Sequence, residues 1–83
     1  MNELTGKIAI SKRGNDKGRV FAIVGLGDIN TNNVLIADGV KHKIATPAKK
    51  NLRHLSITKT KIEISNDLKL AKSLKDYDQN KSL

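Results

Sequence analysis

The stretch that most restricts the fold of this chain runs over residues 6–24 (GKIAISKRGNDKGRVFAIV). Ile8 and Ile10 alternate with smaller or polar residues, and this period of two is typical of a β-strand with one buried face. Residues 20–24 form an unbroken apolar run, which is short enough for a strand covered on both faces. The pattern therefore predicts two strands joined by a short loop, over residues 6–11 and 20–26.

The loop between these strands, residues 12–19, is basic and contains two glycines. Gly14 and Gly18 can adopt a positive φ without a Cβ clash, so we predict that the chain turns there. The loop also contains one carboxylate and four cations. The cations are Lys12, Arg13, Lys17 and Arg19. Cations raised on a tight loop above a rigid scaffold suit contact with a polyanion.

The charge of the whole chain points the same way. Its 83 residues include 16 Lys and Arg against 8 Asp and Glu, for a net charge of +8. Such an excess in one small domain favours a polyanionic partner, with nucleic acid ahead of an anionic membrane. Residues 41–61 contain no acidic residue, whereas an ordinary solvated surface intersperses both signs. The cations of this segment are Lys41, Lys43, Lys49, Lys50, Arg53, Lys59 and Lys61.

Two more strands are predicted directly after the first pair. Gly25 and Gly27 indicate a bend or bulge at the end of the second strand. Residues 34–37 are all apolar and form the predicted third strand. Asp38-Gly39 is a strong signal for a short hairpin turn, so we expect a fourth strand over residues 40–45.

The connection to the last strand begins at a proline. Pro47 is expected to end the fourth strand, because proline fixes φ and cannot donate to a strand ladder. Lys49 and Lys50 are expected on an exposed loop after it, within reach of a phosphate. A fifth strand is predicted over residues 51–58. Its alternation breaks at residues 53–54, which indicates a bulge or a single 3₁₀ turn with these side chains at the rim.

The C-terminal part of the chain predicts a helix. Ser65-Asn66-Asp67 is a helix start signal, and the helix is expected over about 66–77. Leu70, Leu74 and Tyr77 share one stripe, which we expect to pack on the sheet. A helix that orders only on a partner is the alternative. We divide the chain into a barrel, 1–58, and a C-terminal extension, 59–83, whose polar end from residue 78 is predicted to fray.

The aromatic content excludes several binding modes. Phe21 and Tyr77 are the only aromatic residues. A methyl-lysine cage, a proline-peptide groove or a stacking platform for single strands each needs an aromatic cluster. Contact of Lys and Arg with the phosphates and sugars of a folded nucleic acid is the mode that this composition leaves.

We expect neither an enzyme nor a cofactor. The chain has no cysteine, and neither His42 nor His54 belongs to a motif with serine and aspartate. The carboxylates are scattered, there is no phosphate-binding loop of the nucleotide-hydrolase type, and two histidines twelve residues apart make a poor metal site. No segment approaches the length of a membrane span, and the N-terminus lacks the apolar region of a signal peptide, so we expect a cytoplasmic protein that is not inserted in a membrane.

The first hairpin resembles the KOW motif of ribosomal proteins and transcription elongation factors. The matching features are Gly6, the alternating isoleucines, the pair Lys17-Gly18, the cation Arg19 and the apolar run after it; Gly18 lies where the motif has its near-invariant glycine. Later residues extend the resemblance over residues 4–58 to small bacterial KOW-domain RNA-binding proteins, which are similar to archaeal and eukaryotic-type large-subunit ribosomal proteins. These later residues are Asp38-Gly39, Lys41-His42-Lys43, Pro47-Ala48-Lys49-Lys50 and His54-Leu55.

The resemblance implies a mainly β fold, a small five-stranded SH3-like barrel of the KOW type, to which the predicted short C-terminal α-helix is added. It implies RNA as the partner, first ribosomal RNA of the large subunit and with it ribosomal proteins. The protein is then expected to be cytoplasmic, ribosome-associated and monomeric when free. The expected RNA contacts are Lys12, Arg13, Lys17, Arg19, Lys41, Lys43, Lys49, Lys50, Arg53 and His54, the last two on the resemblance; the structural turns are Gly14, Gly18, Asp38 and Gly39.

Two other functions stay open on the sequence. One is a protein-interaction KOW module of a transcription or translation complex, which docks through a barrel edge or the C-terminal helix and uses its charge for steering. The other is binding to duplex DNA or to an anionic membrane.

Overall fold

One antiparallel sheet and one helix form the fold. The computed structural model describes residues 4–27 and 31–80. In chain order the elements of these ranges are β1 (Lys7–Ser11), β2 (Val20–Leu26), β3 (Asn33–Ala37), β4 (Ala48–Asn51), a 3₁₀ turn (Leu52–His54), β5 (Leu55–Lys61) and α1 (Asp67–Asn80). The strand order is β4-β3-β2-β1-β5. The predicted fold class, mainly β and SH3-like with a C-terminal helix, is confirmed, although β4 and β5 remain edges and the sheet is not closed.

The first hairpin has the predicted structure. β1 and β2 are antiparallel with Ile8 opposite Ala22, and Gly14 and Gly18 have φ of 88° and 89°. The pairing of β2 with β3 shifts register between Ile23 and Gly25, so the predicted bulge is present.

The sheet is buried on both of its faces. On one face, Phe21, Ile23 and Val34 belong to a core cluster against which Leu4 and Leu52 pack. On the other face, helix α1 covers the sheet. The residues buried there are Ile8, Ala22, Ala37, Leu70 and Leu74. This double coverage explains why residues 20–24 are apolar without alternation.

Helix α1 begins and packs as predicted but ends later. Asn66 caps it, because its Oδ1 accepts hydrogen bonds from the N–H groups of Leu68 (2.8 Å) and Lys69 (3.2 Å). The stripe of Leu70, Leu74 and Tyr77 packs on the sheet. The helix continues to Asn80, three residues beyond the predicted end at 77, and no glycine or proline interrupts it there. Residues 81–83 lie outside the described residues.

The predicted fourth strand over residues 40–45 is wrong, because this segment is a loop and β4 is Ala48–Asn51. Asp38 Oδ1 accepts hydrogen bonds from the N–H groups of Val40 and His42, both at 2.9 Å. These bonds replace the ladder that a strand would have formed, so Asp38-Gly39 opens a compact loop instead of a two-residue hairpin. Ile44 N–H donates to Asp67 Oδ1 (2.8 Å) and ties the loop to α1.

The end of the sheet also differs from the prediction in its boundaries. The break in alternation is a single 3₁₀ turn, as predicted, and it is capped by Asn51. β5 then continues to Lys61, where it pairs with Lys7. The predicted boundary at residue 58 therefore falls inside a strand.

Candidate nucleic-acid interface

A cleft of about 370 Å³ lies between the β1–β2 loop (residues 12–19) and the loop over residues 38–46. We call it the loop cleft. It is lined by Gly14, Asn15, Asp16, Arg19, Phe21, Lys41, His42 and Lys50. The cleft thus brings together cations from three separate segments of the chain.

The β1–β2 loop is held in shape by its own backbone. Gly18 N–H donates to Ser11 O (2.8 Å), and Ser11 N–H donates to Arg19 O (2.9 Å), which extends the hairpin into the loop. Lys17 N–H donates to Gly14 O (3.2 Å) within it. This framework fixes the backbone that carries four exposed cations. They are Lys12, Arg13, Lys17 and Arg19.

An ion pair connects this loop to the edge strand β4. Lys50 Nζ lies 3.0 Å from Asp16 Oδ1 and 3.3 Å from Asp16 Oδ2, and 3.4 Å from Arg13 O. Ser11, whose side chain is buried, donates from Oγ to Asp16 Oδ1 (2.8 Å). Lys50 is therefore not on an exposed loop as predicted: it lies on β4 with 18% of its side chain exposed, engaged by a carboxylate.

The carboxyl group of Asp16 has a lowered pKa because its neighbours favour the charged form. Partial burial is the largest single influence, and it acts to raise the pKa by removing water from the carboxylate. Hydrogen bonds from Lys50 and Ser11, the attraction of the Lys50 ammonium and a backbone hydrogen bond together outweigh the burial and lower the pKa. Asp16 is thus a fixed negative charge at the wall of the cleft.

The opposite wall is the 38–46 loop, which places a ring beside the cations. His42 holds the loop through its backbone, since Asp38 N–H (2.9 Å) and Gly39 N–H (3.1 Å) both donate to His42 O. The His42 ring lies 6.3 Å from the ring of Phe21, measured between centroids, at an angle of 45°. Lys41, the residue directly before His42, lines the loop cleft together with Arg19.

The same two cations also border a second cleft of about 340 Å³, on the side of α1. Its lining consists of Arg19, Val20, Asp38, Val40, Lys41 and Asp78. Because Arg19 and Lys41 line both clefts, they form the ridge between them.

The other predicted RNA contacts divide into three groups. Lys12 adjoins the 3₁₀ turn, since its N–H donates to His54 O (2.8 Å), and Arg53 is exposed in that turn. Lys43 is exposed farther along the 38–46 loop. Lys49 is exposed on β4, but successive strand residues alternate, so its side chain lies on the opposite face of the sheet from Lys50.

The basic segment over residues 41–61 is therefore not one surface. Lys61 pairs with Lys7, at the ends of β5 and β1 that lie away from the β1–β2 loop, and Lys59 precedes it on the same strand. The sequence analysis also missed Asp16 and His42 as parts of the site. The signal for Asp16 was its position as the one acid of a basic loop.

Among residues 4–27 and 31–80, no three His, Asp or Glu side chains lie grouped in a way that could hold a metal ion. Within the same ranges, no helix has the length and apolar character needed to span a membrane. No family model and no curated protein matches this chain.

Proposed function

We propose that this protein binds structured RNA through the loop cleft and the exposed cations around it. One arrangement supports the proposal: cations from the β1–β2 loop, the 38–46 loop and β4 line a single cleft, and one further cation, Arg53, lies in the 3₁₀ turn that adjoins Lys12. Lys and Arg on such a surface bind phosphates, which gives affinity without a catalytic centre. On the resemblance to KOW-domain proteins we propose ribosomal RNA as the RNA, in a ribosome-associated protein.

A matched pair of charge-reversal variants tests this surface. The first carries Lys12→Glu, Arg13→Glu and Lys17→Glu in the β1–β2 loop. The second carries Lys59→Glu, Lys61→Glu and Lys69→Glu, all exposed and all outside the three segments that contribute cations to the loop cleft. Both variants have the same net charge, so they differ only in where the charge is changed.

Affinity for ribosomal RNA fragments is measured by fluorescence anisotropy over a range of salt concentrations. The wild type is expected to lose affinity steeply with salt, with a log–log slope of roughly −4 to −8. The affinity of the loop variant is expected to fall at least about tenfold, and its log–log salt dependence to become shallower by about three units. Both changes are expected to be far smaller in the control variant. Equal losses in both variants would contradict the choice of surface, and a wild type that ignores RNA in dilute buffer would contradict the function.

The alternative of a protein-interaction module is less well supported by the packing. Leu70 and Leu74, the apolar stripe that a helix-docked partner would need, are buried against the sheet of this domain. Deletion of residues 65–83 would also uncover Ile8 and Ala22, so it would test stability rather than binding.

A further inference from the structure

We propose that the loop cleft receives one extruded, unpaired nucleotide of the bound RNA. The inference rests on the proposed function and narrows it to RNA with a bulge or an open loop at the contact. It is drawn from the position of the His42–Phe21 ring pair at a cleft bordered by cations.

The size of the cleft suits a nucleotide. Its volume of about 370 Å³ falls in the lower part of the range for small-ligand sites, which is roughly 300–1,000 Å³. A paired base is held in the stack of a helix and cannot enter a concave site, whereas an unpaired base can leave the stack and be bound singly.

The rings give the base a surface on which to stack. Phe21 is only 1% exposed and is fixed in the core, so it backs the partly exposed ring of His42. Tyr77 packs on the other side of the sheet, in the cluster under α1. Because the 38–46 loop is held by backbone groups of His42 and by the Asp38 side chain, the imidazole is not needed for the turn.

The Asp16 carboxylate forms part of the wall but offers no position to a base. An ionised carboxylate has about four acceptor positions. They are used by Ser11, by the two contacts of Lys50 and by a backbone hydrogen bond. Arg19 and Lys41 border the cleft where the flanking phosphates would pass.

The test uses five RNA hairpins of one sequence, four with a single A, C, G or U bulge and one without a bulge. The full chain is titrated with each RNA, and the quantity compared is the ratio of bulged to unbulged affinity. The wild type is expected to bind the A-bulge hairpin about tenfold more tightly than the unbulged hairpin, since stacking of one base is of this order. The C, G and U bulges are expected to give ratios above one as well, because every base has a face that can stack.

Variants assign the effect to the cleft. His42→Ala is expected to bring the ratio close to one while leaving the affinity for the unbulged hairpin within about twofold, and His42→Phe is expected to restore it. Leu68→Ala, exposed on α1 and outside the lining of both clefts, is the control and keeps the wild-type ratio. A wild type that binds all five hairpins equally with steep salt dependence overturns this inference but not the proposed function. A wild type that binds none of the hairpins overturns both this inference and the proposed function. A ratio that stays at the wild-type value in His42→Ala overturns the stacking site.

Discussion

The ammonium of Lys50, on edge strand β4, lies 3.0 Å from the carboxylate of Asp16 in the β1–β2 loop. The two residues are 34 positions apart in the chain, and their contact joins an edge of the open sheet to a loop that carries four exposed cations. The protein thus neutralises one of its own cations at the site where phosphates are proposed to bind. Asp16 both orders the loop and competes with a phosphate for Lys50.

The first prediction concerns Asp16→Asn. The amide keeps an acceptor for the Ser11 hydroxyl but removes the negative charge, so Lys50 becomes available to a phosphate. We expect the affinity for unbulged RNA at low salt to rise roughly fivefold and the salt dependence to steepen by about one unit of log–log slope. Anisotropy titrations at four or more salt concentrations measure both quantities.

The matched control for this prediction is Asp76→Asn. Asp76 is exposed on α1 and lines neither cleft, and its substitution changes the net charge by the same amount. An equal gain in affinity from both variants would mean that net charge alone is responsible, and the competition between Asp16 and phosphate would have to be abandoned.

A second prediction is the pH dependence of stability that follows from the lowered pKa of Asp16. A carboxyl group with a lower pKa in the folded state binds fewer protons there than in the unfolded chain, so stability rises with pH through this interval. Its contribution is complete well above the ordinary aspartate pKa of about 3.9 and is lost as the pH falls through the lower folded value.

Thermal unfolding of the wild type and of Asp16→Asn between pH 2 and pH 7 measures this contribution, because the asparagine cannot titrate. We expect the wild type to be the more stable protein at neutral pH and the difference to shrink in acid. A difference that is constant over the whole interval would contradict the assignment.

The elements that local sequence decides were predictable. The β1–β2 hairpin follows from the alternation at Ile8 and from the two glycines of its loop, whose positive φ was expected. The start and the buried stripe of α1 follow from Asn66 and from the spacing of Leu70 and Leu74. In each case the deciding interactions lie within one hairpin or a few helical turns.

The loop cleft could not be predicted, because it depends on contacts between distant residues. Asp38 was interpreted as a hairpin residue, but its side chain binds the N–H groups that a strand over 40–45 would have needed, and Asp67 holds Ile44 from 23 residues away. Once that segment is a loop, the strand moves to Ala48–Asn51, and the two lysines at 49 and 50 point to opposite faces. The segment that is basic in sequence is therefore divided in space.

A third prediction concerns the contact of the 38–46 loop with α1. Gly39 has a φ of 81°, and a Cβ added there would collide with Asp67 O and lie 3.0 Å from Ala71 N, both backbone atoms. Gly39→Ala is therefore expected to push the loop away from the helix. With the backbone strain included, we expect it to lower the free energy of unfolding by at least about 2 kcal/mol.

Gly18→Ala is the comparison that separates strain from collision. Gly18 has nearly the same backbone conformation, with a φ of 89°, but no atom lies within 4 Å of an added Cβ. Its substitution should cost only the strain of a left-handed alanine, about 1 kcal/mol. Urea unfolding of both variants gives the difference, and equal losses would show that Gly39 is not constrained by the helix.

The last prediction concerns the helix itself. Leu70, on α1, is fully buried against the sheet, whereas Leu68, two residues earlier on the same helix, is 81% exposed. Leu70→Ala leaves a cavity over Ile8, Ala22 and Ala37, and the two alanines are too short to fill it. We expect a loss of about 2–5 kcal/mol in the free energy of unfolding, which is a large part of the 5–15 kcal/mol typical of a domain. Leu68→Ala should change stability by no more than about 0.5 kcal/mol. Urea unfolding followed by circular dichroism tests the pair. A single cooperative transition at lower urea for Leu70→Ala indicates that sheet and helix unfold together, whereas early loss of the helical signal alone would mean that the sheet is stable without α1.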